Sequence, residues 1–395
     1  MAIDELAESK TFSESTPRLA DLVKLLSDAF APSTDQHIME VAARTLGHLV
    51  LAGGALMADV VEEQVKRGIQ WLAAPRQEFS RLAGVLVLRE LAEHAPAVFN
   101  VHVRSFIEVI WNPLRDPKQH IREAAVEALQ ACLVLVEKRE TRYRVQWYYR
   151  LFEETQRGLT RVTSLETVHG SLLALGELLR HTGACGGVEQ GMGQRGCCLG
   201  STVGQGWHCL CLEWSRPEPC AGAEGCAALS CSAIALPAGE FMLARYREVC
   251  ETVLKFRESK EKLILRAVIT LLPRLAAFAP ERFVKAYLQQ ATEHLLSVLA
   301  VPQERGAGFT AIAEMASSLA AAGVAGRMKA PTDFLRPIAA QIREALLSKG
   351  RKVSCPEALE CTGTLAVALK QDWQPHVMAL LDPMFQTGLS GGRAG

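Results

Sequence analysis

Along most of this chain, apolar residues recur at every third or fourth position, in paired stretches separated by short polar turns. The stretch 103–136 shows this pattern most clearly. Each half of it places apolar residues on one side of a helix. Between the halves, Asp116 supplies an N-cap oxygen, Pro117 takes the first helical position, and Gln119 follows three residues after the cap. The pattern therefore predicts a helical hairpin.

A single hairpin cannot bury both of its apolar stripes, so the pattern also predicts neighbours of the same kind. A small residue recurs in the second helix of each predicted pair, and successive examples lie 41, 41, 45, 97 and 41 residues apart. These residues are Ala43, Gly84, Ala125, Gly170, Ala267 and Gly308. A period of roughly 40 to 47 residues with two helices per unit is typical of HEAT and armadillo repeats. The sequence therefore predicts an all-α fold, an α-solenoid of helical hairpins.

The apolar pattern sets the expected domain boundaries. The predicted helices cover residues 17–30, 34–51, 60–71, 78–93, 103–114, 117–136, 144–157, 164–180, 241–257, 260–278, 283–299, 304–321, 334–347 and 356–370, with another starting at 375–385. We expect a frayed segment over 1–16, HEAT repeats over 17–183 and 240–387, and a disordered tail over 388–395. Because no polar capping repeat closes the array, the sequence has the form of a fragment of a longer one.

Residues 184–239, called the insertion below, interrupt the period. Gly, Cys, Pro, Trp and Ser replace the helical pattern there, and eight of the chain's 12 cysteines fall inside it. Subtracting its 56 residues from the anomalous interval of 97 leaves 41, the ordinary repeat. Two interpretations stay open. The insertion is a translated intron, since its ends can be encoded with splice-site codons, or it is a low-complexity surface loop between repeats.

The insertion also holds the chemical motifs of the chain. Residues 191–196 satisfy G-x-G-x-x-G, but neither a preceding strand nor a following helix is predicted around them. His208 and the neighbouring cysteines offer zinc ligands, yet their spacing gives no paired C-x-x-C units; these cysteines are Cys209, Cys211, Cys220, Cys226 and Cys231. We therefore assign no catalytic, cofactor-binding or metal site to the chain. An enzyme with its site in the insertion is the least favoured function.

Composition excludes several other classes. Lys plus Arg equals Asp plus Glu at 43 each, so no net charge favours nucleic acid. No stretch of eighteen uncharged apolar residues predicts a membrane span, and the first residues do not form a secretory signal. Cysteines outside the insertion are scattered, as in reduced cytosolic proteins, which predicts a cytoplasmic location. The four aromatic residues of 146–152 are predicted to pack between helices.

Four stretches of the repeats resemble one particular family. They read DPKQHIREAAVEALQACL, QWYYRLFEETQRG, HGSLLALGELL and LLPRLAAFAPERF. Together they closely resemble the amino-terminal HEAT region of the target-of-rapamycin (TOR) kinases, which are very large serine/threonine protein kinases related to phosphatidylinositol 3-kinase. The resemblance covers roughly residues 15–390 apart from the insertion. Generic HEAT repeats share the positions of Asp116 and Arg122 but not the residues between them.

The resemblance implies a non-catalytic scaffold in nutrient and growth signalling. Its implied partners are a raptor-type regulatory subunit, a Rheb-type small GTPase, and a second copy within the TOR complex, through which the chain would meet endomembranes. The ATP and Mg²⁺ of the family belong to a kinase domain outside this chain. The alternative is an independent HEAT adaptor of the importin or phosphatase-scaffold type, which a capping repeat after Phe385 would favour.

Overall fold

The computed structural model describes residues 16–30, 35–73, 77–138, 144–160, 163–182, 238–329, 334–347 and 356–390. All of them belong to one of the two units into which the chain divides, the one formed by residues 1–184 and 237–395. Every regular element in these ranges is helical, and none of the described residues lies in a strand. The prediction of an all-α fold is confirmed.

Seventeen α-helices follow one another through the described ranges. They are α1 Thr16–Asp28, α2 Gln36–Gly53, α3 Ala58–Ala73, α4 Glu78–His94, α5 Pro96–Val109, α6 Trp111–Leu114, α7 Gln119–Lys138, α8 Arg144–Thr160, α9 Leu165–Thr182, α10 Ala238–Lys255, α11 Lys262–Phe278, α12 Pro280–Ala286, α13 Leu288–Leu299, α14 Arg305–Ala321, α15 Leu335–Leu347, α16 Pro356–Leu369 and α17 Gln374–Ser390. Short 3₁₀ turns cover Gly54–Met57, Phe256–Glu258, Ala325–Lys329 and Lys370–Asp372.

The second helices of the hairpins stack on one another in a continuous row. We call this row B: α2, α4, α7, α9, α11, α14 and α16, each packed against the next. The first helices, row A, cover one side of it: α1, α3, α5, α8, α10, α13, α15 and α17. Each row A helix from α1 to α15 packs against the row B helix of its own hairpin, and α17, the last described helix, packs against α15 and α16. This arrangement buries the apolar stripes that a lone hairpin would leave in water.

The six small residues of the sequence period lie at corresponding places in row B. Each is buried in the first half of its helix, in α2, α4, α7, α9, α11 and α14 in turn. Close packing explains the residue type. A Cβ added to Gly84 would lie 2.9 Å from Cδ2 of Leu72 in α3, and one added to Gly170 would overlap the carbonyl oxygen of Leu114. The predicted repeat is therefore confirmed.

Both rows continue past the insertion. In row B, Arg274 of α11 donates to Glu177 of α9 over 2.9 Å. In row A, the ring of Phe241 in α10 lies 5.8 Å from that of Phe152 in α8. The interval of 97 residues therefore interrupts neither row. Residues 184–237 of the insertion lie outside the described residues, so both of its interpretations, the G-x-G-x-x-G motif and the zinc ligands stay predictions.

Several helix boundaries differ from those predicted. Helix α7 begins at Gln119 rather than Pro117, because the Lys118 N–H donates to Asp116 Oδ1 over 2.9 Å in a turn that precedes the first helical bonds. The helix predicted over 103–114 starts earlier, at Pro96, and breaks at Ile110, since Pro113 has no N–H to continue it. The helix predicted over 283–299 breaks at Tyr287. The last helix extends to Ser390, three residues beyond the expected end of the array.

One described helical segment, Gln36–Ala73, is long and apolar enough to cross a membrane. Within its most apolar window, 44% is buried inside the protein. A second candidate, Lys262–Phe278 with Pro280–Ala286, meets the same criterion only as a pair bent by 119°. One or two segments of this kind are weak evidence of a membrane span, because the core helices of packed proteins meet the same criterion.

Candidate protein-binding surface

Helix α4 lies deeper than its neighbours in row B. Residues 82–88 are buried without interruption, and within the helix only Glu78 and Glu93 are exposed. Helices α2 and α7 pack on its two sides, and small residues allow the close approach. A Cβ on Gly47 of α2 would lie 2.7 Å from Nδ1 of His94. The row B surface therefore has a depression along α4, with α2 and α7 as its walls, which we call the α4 trough.

The α4 trough consists of two clefts that meet at one ion pair. The first, of about 280 Å³, lies between α2 and α7 and reaches from Gln36 to Glu127. The second, of about 660 Å³, lies between α4 and α7 and reaches from Arg89 to Lys138. Arg89 and Glu127 line both clefts. Their contact is therefore the partition of the trough.

The partition consists of one guanidinium and two carboxylates. Arg89 Nη1 donates to Glu127 Oε2 across the trough, and Nη2 donates to Glu90 Oε1 over 2.7 Å on its own helix. Burial opposes the charge of Arg89, but hydrogen bonds and charge from Glu90 and Glu127 outweigh that effect and raise its pKa. Glu90 is 4% exposed, whereas the Glu127 side chain is 56% exposed. Arg89 therefore pairs with a buried carboxylate on its own helix and with a largely exposed carboxylate across the trough.

The trough carries more carboxylates than cations. Its acidic residues are Glu40, Glu90, Glu93, Glu123 and Glu127, and its cations are Arg44, Arg89 and Lys138. Two of the carboxylates accept only a neutral amide among the side-chain hydrogen bonds described. Gln36 donates to Glu40 and Gln119 donates to Glu123, each over 2.8 Å. The surface is therefore electronegative although the whole chain is neutral.

Three possible metal ligands meet at the end of α4. Glu90, Glu93 and His94 place ligand atoms within 4.8 Å of one another. Glu90 already pairs with Arg89, and Nδ1 of His94 lies 2.9 Å from the Glu90 carbonyl oxygen. A guanidinium beside the first ligand opposes a cation electrostatically. We assign no metal to this cluster.

A second polar cluster, the α9 junction, lies at the C-terminal end of α9. Glu177 is 2% exposed and pairs with Arg274 from α11 over 2.9 Å and with Arg180 over 3.4 Å. His181 is 6% exposed and places Nδ1 2.8 Å from Oε2 of Glu137 in α7. These contacts join three consecutive row B helices. Burial lowers the pKa of Arg274, and the charge of Glu177 opposes that shift.

A third polar group lies where α7 begins. Arg122 donates through Nη1 to the carbonyl oxygens of Asp116 over 2.6 Å and of Pro117 over 3.0 Å, and through Nε to Nδ1 of His169 over 3.1 Å. Arg81 pairs with the Asp116 carboxylate. Because Nδ1 of His169 accepts a hydrogen bond, the ring is neutral. Burial and the charge of Arg122 lower the pKa of His169 to about 4. The Asp and Arg of the repeat signature therefore fix the hairpin turn to the next repeat.

The aromatic residues of α8 pack as predicted. Tyr148 is fully buried and its hydroxyl donates to the His181 carbonyl oxygen over 3.3 Å. Arg245 of α10 lies with its guanidinium 4.3 Å from the centre of the Phe241 ring and also faces Phe152. The protein's own arginine thus occupies the aromatic surface between α8 and α10. Tyr149 remains 42% exposed at its edge.

Two other sequence predictions concern histidines and cysteines. The histidines of the repeats are spread about one per helix in the sequence, which predicts no close pair suited to a metal. The structure brings the rings of His48 and His94 to 5.6 Å, and these two residues lie one repeat apart in adjacent row B helices. The scattered cysteines of the helical stretches are predicted to be small buried residues, and Cys132, Cys250 and Cys361 are buried; burial raises the pKa of Cys250 to about 12.

The chain is similar over nearly its whole length to curated plant and fungal proteins. It is 40% identical over 390 residues to the serine/threonine-protein kinase TOR of Arabidopsis thaliana, a match that covers 98% of this chain and 13% of that protein. The rice protein of the same name is 39% identical with the same coverage, and tor1 of Schizosaccharomyces pombe is 29% identical over 99% of this chain. This chain is homologous to part of the TOR kinases. It spans only 13% of the first two of these TOR proteins and 14% of the third, and no protein-family model matches it.

Solved structures place the same fold in other proteins. Importin beta superposes with a TM-score of 0.56 at 12% identity, covering 96% of this chain and 42% of that one. The karyopherin Kap121p, in its complex with the SUMO protease Ulp1p, gives a TM-score of 0.54 at 12% identity, covering 95% and 32%. At this identity the likeness concerns the fold alone. This likeness agrees with the helical-repeat solenoid described above.

Proposed function

We propose that this chain is a scaffold segment of a TOR-type serine/threonine protein kinase, and that it binds a raptor-type regulatory subunit in the cytoplasm. The phosphoryl transfer of such a kinase, with its ATP and Mg²⁺, would be carried out by other parts of the longer protein. Contacts with a Rheb-type GTPase and with a second copy belong to the same proposal.

One observation carries the proposal: row B continues without a break from Gln36 to Leu369. Each of its helices packs on the next, including across the insertion. A stack of this kind holds many side chains at fixed separations, which suits contact with a large folded partner better than chemistry at one point. The similarity to TOR kinases over 98% of the chain supports the TOR setting over an independent adaptor.

Co-purification tests the proposal. The chain would be co-expressed with the raptor-type subunit of the same organism, using a segment of importin beta of equal length as the control for non-specific helical binding. We expect the subunit to retain this chain and not the control. A chain that is helical by circular dichroism, yet is not retained above the control, would contradict the proposal.

A further inference from the structure

The shape of the α4 trough suits one short segment of a partner chain. From Arg81 to Ala92, α4 has twelve residues and would extend roughly 18 Å at the α-helical rise. Residues of α2 and α7 line the first cleft on either side of α4, and residues of α7 line the second cleft opposite α4. Ala124 and Val134 of α7 are half-buried at the edge of the trough, whereas Leu82 and Leu86 are only 3% and 2% exposed, so the apolar contact is narrow rather than broad.

The charges of the trough select the chemistry of that segment. Glu93 is exposed and Glu123 accepts only the amide of Gln119 among its described side-chain bonds, so both carboxylates are accessible to a cation from outside. An acidic segment would meet five carboxylates at short range. A lysine or arginine side chain would instead find complementary charge at the exposed carboxylates of the trough, such as Glu93 and Glu123.

The partition itself can yield to such a cation. A lysine or arginine that takes Glu127 from Arg89 leaves Arg89 paired with Glu90, at 2.7 Å. No buried charge is then left without a partner, which is the usual obstacle to opening an internal ion pair. The two clefts would join into one when the segment binds.

The cleft between α14 and α16 gives a contrast on the same row. Its lining residues are Ser317, Glu360, Gly363, Thr364 and Val367, with a single carboxylate among them. This cleft has one carboxylate and no cation, whereas the α4 trough has five carboxylates and three cations, so the α4 trough has the larger excess of negative charge of the two.

We propose that the α4 trough binds a short amphipathic segment of a partner protein, with lysine or arginine side chains set between apolar ones. This proposal deepens the scaffold function and rests on it, because it names one surface and the chemistry of the segment that the surface takes.

Two designed peptides serve as the probe. One is a fluorescein-labelled peptide of fourteen residues with leucine and lysine at helical spacing, and the other has glutamate in place of lysine. Fluorescence anisotropy should detect binding of the lysine peptide and not of the glutamate peptide. Equal binding of both peptides would overturn the proposal.

A matched pair of variants locates the site. Glu93→Gln with Glu123→Gln removes two exposed carboxylates from the trough, and Glu314→Gln with Glu360→Gln removes two from α14 and α16. We expect the first pair to weaken lysine-peptide binding about fivefold at low salt, and the second by less than twofold. Equal weakening would mean that net charge alone drives the binding, and would overturn the proposal.

A filling variant tests shape without changing charge. Ala124→Trp should block the trough and abolish binding, whereas Ala307→Trp on the exposed side of α14 should not, with both proteins checked for folding by circular dichroism. The raptor-type subunit is then applied to the wild type and to Ala124→Trp. If it retains both equally, the trough proposal fails and the scaffold proposal stands. If it does not retain the wild type, the scaffold proposal fails, and the peptide measurements alone then decide whether the trough proposal holds.

Discussion

The α4 trough and the α9 junction occupy similar places in row B but differ in accessibility. In both, a deeply buried helix is flanked by two others, and an arginine pairs with a glutamate. At the trough, Arg89 belongs to the buried helix and reaches out to Glu127, whose side chain is 56% exposed. At the junction, Arg274 belongs to the next helix and reaches in to Glu177, which is 2% exposed. The first arrangement leaves the space above the helix open, and the second fills it.

Two residue positions account for this difference. Six residues after the small residue of the period, α9 has Gly176 and α4 has Glu90. A Cβ on Gly176 would overlap Nη1 of Arg274, so the glycine makes room for the arginine. Seven residues after its own small residue, α11 has Arg274 whereas α7 has Cys132. The α4 trough thus has neither a glycine that makes room for an arginine from the next helix nor the arginine itself, and these two residues are what close the α9 junction.

The largest expected contrast comes from the small residues themselves. Gly170→Ala should cost about 3 kcal/mol of unfolding free energy, because its Cβ would overlap the backbone of Leu114, which cannot turn aside. Gly84→Ala should cost about 1 kcal/mol, since Leu72 can rotate and the nearest backbone atom, the Gly68 carbonyl oxygen, would lie 3.1 Å from the added Cβ rather than overlap it. Urea unfolding measures both. Gly363→Ala is the control, because no atom lies within 4 Å of its added Cβ and helix propensity should stabilise it by roughly 0.5 kcal/mol. Equal costs at Gly170 and Gly84 would contradict the packing described.

The next contrast compares the two ion pairs. Glu177→Ala should destabilise the protein by about 2 kcal/mol, because it leaves the partly buried Arg274 without the buried carboxylate that it shares with Arg180. Glu127→Ala should cost less than about 0.5 kcal/mol, because that carboxylate is largely in water. Guanidinium unfolding curves of the two variants decide between them. A cost at Glu127 as large as that at Glu177 would show that the trough is closed in solution.

Acid should weaken the contact between α7 and α9 that Arg122 makes with His169. The pKa of His169 is lowered to about 4 in the folded chain from an ordinary 6.5, so the unfolded chain binds the proton more readily. The stability from neutral His169 is complete above pH 6.5 and is lost as the pH falls toward 4. We expect a loss of about 1 to 2 kcal/mol, measured by urea unfolding at pH 7.5 and 4.5.

His169→Gln is the matching variant, since its amide oxygen can still accept from Arg122 but does not titrate. Its unfolding free energy should change less between the two pH values. Burial also lowers the pKa of His294, so the slope should shrink without vanishing. An unchanged slope would mean that His169 does not report on acid stability.

The smallest expected effect is that of deleting residues 184–239. Because Arg274 with Glu177 and Phe241 with Phe152 already join the rows across this gap, the thermal midpoint should move by less than about 3 °C. Differential scanning calorimetry of the full and shortened chains measures the shift. A loss of cooperative unfolding in the shortened chain would show that the insertion contributes to the array.

The repeat was predictable from sequence because burial imposes it locally. Each hairpin must bury an apolar stripe, and small residues such as Gly84 and Gly170 lie where a neighbouring helix leaves no room for a larger side chain. Helix ends were less predictable. The break at Ile110 depends on Pro113, whose missing N–H matters only once the helix is extended that far, and Asp116 caps a turn that begins α7 two residues late.

The trough could not be predicted in the same way. Arg89 and Glu127 lie 38 residues apart, near one period, so their meeting is suggested only after row B is known. Similar spacing separates Arg266 from Glu304, and His48 from His94. Whether such a pair leaves a cleft or fills one depends on residues such as Gly176, whose neighbour arrives from the far side of the insertion. That contact is invisible in any local pattern.

Because both rows continue past the insertion, the connection between Thr182 and Ala238 is a natural place to attach a reporter. A fluorescent domain exchanged for the insertion would be joined to two helices whose neighbours already hold them in register. The fluorescence of that reporter would then track the protein through purification or in a living cell, and the α4 trough and its flanking helices would be unchanged.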